Sequence, residues 1–127
     1  MSGGIVKRIL AAIRVINGAL ALFAPNILGK RLGVNTRMSP GFGYAFRLFG
    51  VRTVLLGIQL WRAPNDPDNP VVREAILVHA SDTAAAIAVQ RLRELPKAGT
   101  RMAITASAIN TVLAVLANWL LRRERLR

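Results

Sequence analysis

Cysteine is absent from the 127 residues, histidine occurs once, and Asp and Glu together number six. The first absence excludes disulfides, iron–sulfur clusters and thiolate zinc sites. With His79 alone and so few carboxylates, neither a metal nor a cofactor is expected. No strand alternation, internal repeat or low-complexity tract is present. Neither is a nucleophile elbow, a Gly-rich phosphate loop, an HExxH helix or a pair of catalytic carboxylates. What the chain has instead is basic charge and apolar length. Lys and Arg number 18, for a formal charge of +12, while 53% of residues are hydrophobic and mean hydropathy is +0.38. Basic charge by itself points to nucleic acid. Beside this much apolar sequence it points to a membrane surface, and no nucleic-acid partner is expected. The length allows one domain, residues 1–127.

Proline and asparagine divide that domain into four apolar segments, about 5–24, 41–61, 71–90 and 102–121. Pro25 and Asn26 stop the first. A loop to Pro40 follows, with Ser39 as the expected cap and Pro40 in the first helical turn. The second ends at Trp61, before RAPNDPDNP, whose Asn69–Pro70 is again a helix-start signal. The fourth, MAITASAINTVLAVLANWLL, has 20 residues and no charge, enough to span a hydrocarbon core about 30 Å thick. The fold expected is all-α, an up-and-down four-helix transmembrane bundle. A soluble bundle needs a wide polar stripe on every helix, and LFGVRTVLLGIQLW and AAAIAV have almost none. Segment one is expected to be retained rather than cleaved as a signal peptide.

In that layout Trp61 and Trp119 mark one membrane surface, and Phe42 and Tyr44 the other. The side carrying the termini holds eight Lys and Arg and the other seven, a near tie in a rule that counts short-loop cations. The terminal RRERLR tips the expectation to cytoplasmic termini of a multi-pass plasma-membrane protein, with dual topology as the alternative.

Polar groups recur at one depth. Helix midpoints fall beside Asn17, Arg52, Asp82 and Asn110, and helical spacing extends these into faces with small residues, the pattern of inward faces in membrane helices. Lys7, Arg14, Asn17, Ala21 and Ala24 share one stripe. Ala75, His79, Asp82 and Ala86 share another, Ala103, Ser107, Asn110, Ala114 and Ala117 a third, and Gly50, Thr53 and Gly57 form a close-packing stripe. Because nine residues join segments two and three, Arg52 is expected to pair with Asp82, with Asn17 and Asn110 in hydrogen-bonding range. Such a pair either fastens the bundle or lines a polar pocket or proton path. The excess of Arg14, Arg47 and Arg52 over Asp82 makes an anion site. One turn from Asp82, His79 suits either a proton relay or an interhelical hydrogen bond.

FRLFGVRTVLLGIQLW, LFAPNILGKRLGVN and the Asp82 of HASDTAAAI resemble small four-helix bacterial membrane proteins of unknown function, DoxX-like and DUF4267-like. RxxGxR, Arg47 to Arg52, is the most specific part. The resemblance implies a four-helix membrane bundle and no established reaction. Some DoxX-like proteins are tied to quinone-linked complexes, but their redox cysteines are missing here. The ratio of 15 Arg to 3 Lys also suits a GC-rich bacterial gene. Three functions follow as expectations. The first is an accessory or scaffold subunit whose partners are membrane lipids and a larger complex or a homo-oligomer. The second is a lipid- or anion-binding carrier or channel using Arg14, Asn17, Arg47, Arg52, His79, Asp82 and Asn110. The third is a quinone-linked or isomerase-type membrane enzyme.

Overall fold

Ser2 accepts a hydrogen bond from the Ile5 amide at 3.2 Å, satisfying one of the free amides at a helix start, and α1 runs from there, Gly3–Phe23. The computed structural model describes residues 1–35 and 40–127. Among these the protein is all-helical, with α2 at Pro25–Leu32, α3 at Pro40–Arg62, α4 at Pro70–Leu92 and α5 at Lys97–Arg125. The expected Ser39 cap and the basic Arg37 lie outside the described residues. Asn69 caps α4 as its sequence suggests, accepting from the Val71 amide at 3.0 Å, with Pro70 in the first turn.

Two expectations need correction. Among the described residues there are five helices, not four, because Pro25 does two jobs: it ends α1 and serves as the first residue of α2. Proline lacks the amide that a helix interior needs but loses nothing at a first turn. Gly33, left-handed at φ 73°, then closes α2. Its other departure is in length: α5 begins at Lys97, a full turn before the expected 102, and continues through the charged Arg122–Arg125.

The second correction concerns neighbours. Helix α1 packs along α3 and also against α5, α5 packs along α4, and α3 and α4 meet only sparsely. The α1–α3 seam is antiparallel: Gly50 faces Gly18 and Leu22, while Gly57 faces Ala11, Arg14 and Val15. The core joins Leu10 and Ala11 of α1 and Leu60 of α3 to Val72 and Ala75 of α4 and Ala114 and Leu121 of α5. The members from α3 and α4 sit beside their connecting turn. A short loop brings two helix ends together without obliging the helices to pack along their length.

One end of the molecule is tied by polar contacts. The Gly3 amide donates to Glu124 Oε1 at 2.8 Å, and the buried Lys7 donates its ammonium to the Ala63 carbonyl. Asn118 Nδ2 donates to the Pro67 carbonyl at 2.8 Å, and Arg122 donates to Asn118 Oδ1 at 3.0 Å. Arg125 reaches Asp68 at 2.6 Å, and Arg122 reaches it at 3.3 Å. The chain start, the 63–69 turn and the end of α5 therefore share one end. At the other, α2 closes on the start of α5: a Cβ on Gly99 would fall 2.3 Å from the Leu32 carbonyl oxygen.

Candidate functional site

Arg14 belongs to the α1 stripe that turns Lys7, Arg14 and Ala21 inward, and all three are buried. Arg14 is 3% exposed, and its guanidinium lies against His79 of α4, which is 4% exposed. The Arg14 Nε–H donates to His79 Nε2 at 2.7 Å. A nitrogen that accepts carries no proton, so this bond assigns His79 the neutral form with its hydrogen on Nδ1. Asp82 Oδ2 stands 3.9 Å from Nδ1, beyond direct hydrogen bonding, on a side chain that is 49% exposed. Two buried donors are left over: Arg14 Nη2 and His79 Nδ1 have no hydrogen-bond partner among the described residues. Burying an unmet donor costs about 1–3 kcal/mol, and more on a charged group.

The arrangement is a row from buried cation through neutral imidazole to a rim carboxylate. Chemically it offers two N–H donors, one of them on a fixed positive charge, and one acceptor open to the outside. It can hold an anionic oxygen, and its imidazole can exchange a proton with Asp82 when a water or ligand oxygen bridges 3.9 Å. The inward side of α4 continues past it in hydroxyls. Thr83 Oγ1 donates to the His79 carbonyl at 2.9 Å and meets Thr111 Oγ1 of α5 at 3.2 Å. Thr111 and Ser107 also bond back to the α5 carbonyls of Ser107 and Ala103.

Of the residues picked out from sequence, the fold brings together Arg14, His79 and Asp82. The expected Arg52–Asp82 contact does not form: Arg52 is exposed on α3, and its charge reaches Asp82 only through space. With α3 and α4 diverging from their turn, Arg14 takes the inner position instead. Arg47 and Asn17 are exposed, and Asn110 is half-buried on α5. None of the three joins the Arg14–His79–Asp82 contacts. Sequence reasoning missed the Thr83–Thr111 contact and the Lys7–Ala63 bond. For the threonines a signal was available, since Thr111 follows Ser107 by one turn on the small-residue stripe of α5. The Lys7 bond had none, because a lysine near a helix start normally snorkels to water.

Every long helix carries large apolar side chains on its outer surface. Ile9 and Ile16, Leu48 and Leu55, Leu77 and Ile87, and Ile109 and Val112 are all exposed. Among the described residues two helices are long and apolar enough to cross a membrane: α3, from Gly41 on, and α5. Only 17% and 22% of their most apolar windows are buried, unlike the core helix of a soluble protein. Trp61 and Trp119 lie toward the end that holds the termini, each under an arginine: Arg8 at 5.6 Å and Arg123 at 5.4 Å from the ring centres. No protein-family model, curated protein or solved structure matches the chain.

Proposed function

We propose that the chain is a multi-pass protein of a bacterial plasma membrane, serving as an accessory or scaffold subunit within a larger membrane complex or homo-oligomer. In this reading α1, α3, α4 and α5 form an up-and-down four-helix transmembrane bundle with both termini cytoplasmic. The observation that carries it is the exposed, apolar face of α3 and α5, which water would disfavour by roughly 25 cal/mol per Å². The charges that make α1 less apolar also support it. Lys7 and Arg14 are buried, so the outward face of α1 keeps Ile5, Ile9 and Ile16. The tryptophan–arginine pairs at one end suit an interfacial belt. The sparse meeting of α3 with α4 leaves each a flank for a partner helix or a lipid.

The test has two parts. The chain should remain with membranes after an alkaline carbonate wash; recovery as a monodisperse protein without detergent would end the membrane reading. Reporter fusions at Arg127 and within Asp66–Asp68 should both read cytoplasmic, and disagreement between them would overturn four spans. For the accessory role, native mass spectrometry from mild detergent should show a stoichiometric partner or an oligomer. A bare monomer would count against it.

The leftover donors of Arg14 and His79 favour a second reading, a carrier or channel for a small anion or a lipid phosphate. Arg14→Leu together with His79→Leu should then abolish anion uptake into vesicles while leaving the bundle folded. Enzymatic proton transfer between His79 and Asp82, in an isomerase or a quinone-linked reaction, is the least favoured of the three functions.

A further inference from the structure

At the end of the molecule away from the termini, the turn between α4 and α5 carries a cavity of about 610 Å³ that neither reading above uses. Its polar lining is Gln90, Arg93, Lys97 and Arg101; its apolar lining is Leu95 and Pro96, with the buried Thr100 beside them. Three cations thus surround one hollow, and Glu94, the one acid between residues 90 and 101, is not part of the lining.

The turn is built rather than loose. Arg93 closes α4 in the left-handed conformation, φ 54°, which an L residue other than Asn or Asp rarely adopts. The Thr100 hydroxyl donates back to the Pro96 carbonyl at 3.1 Å. From the far side α2 presses on it, with Gly33 so close to Pro96 that a Cβ there would stand 2.7 Å from Pro96 Cγ. Lys97 and Arg101 are one turn apart, a like-charge spacing that repels unless an anion sits between. The start of α5 adds to the same field, since no side chain caps it and its first turn holds no acid.

We propose that this cavity binds the phosphodiester of an anionic phospholipid, with Arg93, Lys97 and Arg101 around the phosphate and Leu95 and Pro96 against the glycerol. The inference rests on the membrane reading. A lipid fits better than free phosphate because part of the lining is apolar and because Leu92, 68% exposed, adjoins Arg93 at the end of α4. It is also a lipid of defined charge: three cations select an anionic headgroup over a zwitterionic one.

The experiment uses the full-length protein in a mild non-ionic detergent, titrated with phosphatidylglycerol and followed by native mass spectrometry. Wild type should retain one phosphatidylglycerol in preference to phosphatidylcholine. The triple variant Arg93→Asn, Lys97→Gln, Arg101→Gln should weaken that retention roughly tenfold or more, a change of at least one decade in Kd. Asparagine is chosen at 93 because it tolerates the left-handed conformation. Arg122→Gln with Arg123→Gln, at the opposite end, should leave retention unchanged, and so should the charge-keeping Lys97→Arg. If the triple variant does not fold, Lys97→Gln alone should still weaken retention relative to Lys97→Arg. Unchanged retention in a folded triple variant, equal binding of phosphatidylcholine, or displacement of the lipid by millimolar inorganic phosphate would each overturn the site. A chain that is monodisperse without detergent overturns the membrane reading itself, and the lipid site with it.

Discussion

The α1–α3 seam and the α4–α5 seam are held by opposite means. Along α1–α3 the backbones touch. A Cβ on Gly50 would lie 2.6 Å from the Gly18 carbonyl oxygen, and one on Gly18 would lie 2.7 Å from the Val54 amide nitrogen. Along α4–α5 hydroxyls meet between the helices, Thr83 to Thr111 at 3.2 Å. Both devices suit helices that cannot rely on expelling water. They differ in what they forbid. A glycine seam has no spare volume, so any added atom must move backbone. A threonine seam has volume already filled, so valine can replace it at the cost of a hydrogen bond. The Arg14–His79 bond ties the two seams together, since it runs from α1 to α4.

That tie supplies the largest expected effect. His79→Leu leaves a buried guanidinium without its acceptor, a loss above the roughly 1–3 kcal/mol of a neutral buried donor because the group is charged, visible as a collapse of monodisperse yield in detergent. Arg14→Leu added to it should recover most of that yield, because the stranded charge is gone. If His79→Leu alone unfolds no more readily than wild type, this bond does not tie the seams, and only the packing of α1 on α5 joins them. Next comes the glycine seam. Gly50→Val should cost about 1–3 kcal/mol through overpacking, read as a lowered midpoint of thermal unfolding. The threonine seam should yield less, about 1 kcal/mol for Thr111→Val, and the double change with Thr83→Val should be nearly neutral. Equal losses at Gly50 and Thr111 would erase the contrast between the seams.

The smallest effect lies outside both seams and depends on pH. Asp68 in the 63–69 turn is held below the usual carboxylate range, first by the Arg125 hydrogen bond, against an opposing desolvation, and then by the charges of Arg125, Arg122 and Arg73. A carboxyl whose folded pKa is depressed stabilises the fold above its ordinary value and stops doing so as pH falls through the folded one. Wild type should therefore unfold at a slightly higher temperature than Asp68→Asn near neutral pH. That gap should narrow as pH falls below the ordinary Asp value of about 3.9 and close only below the depressed folded value. A gap that persists at low pH would assign the contribution of Asp68 to something other than its charge.

Read by itself, the sequence determined the helical class, the approximate limits of four long helices and the inward stripes that carry Lys7, Arg14, His79 and Ala114. Each follows from local chemistry: a proline has no amide to donate, an asparagine caps, and polar residues spaced at 3.6 share a face. It also placed Gly50 and Gly57 on a packing stripe, although not Gly18, which Gly50 meets. Tertiary structure alone decided which stripes meet. Depth along each helix put Arg52 level with Asp82, but depth is one coordinate, and pairing also needs two helices to stay adjacent. Those helices separate beyond their turn, while α1 lies between α3 and α5 and sends Arg14 across to His79. The same holds for α2, whose eight residues are too few to be stable alone. It is a helix because Gly99 of α5 and Pro96 just before that helix give its C-terminal end a surface to close upon.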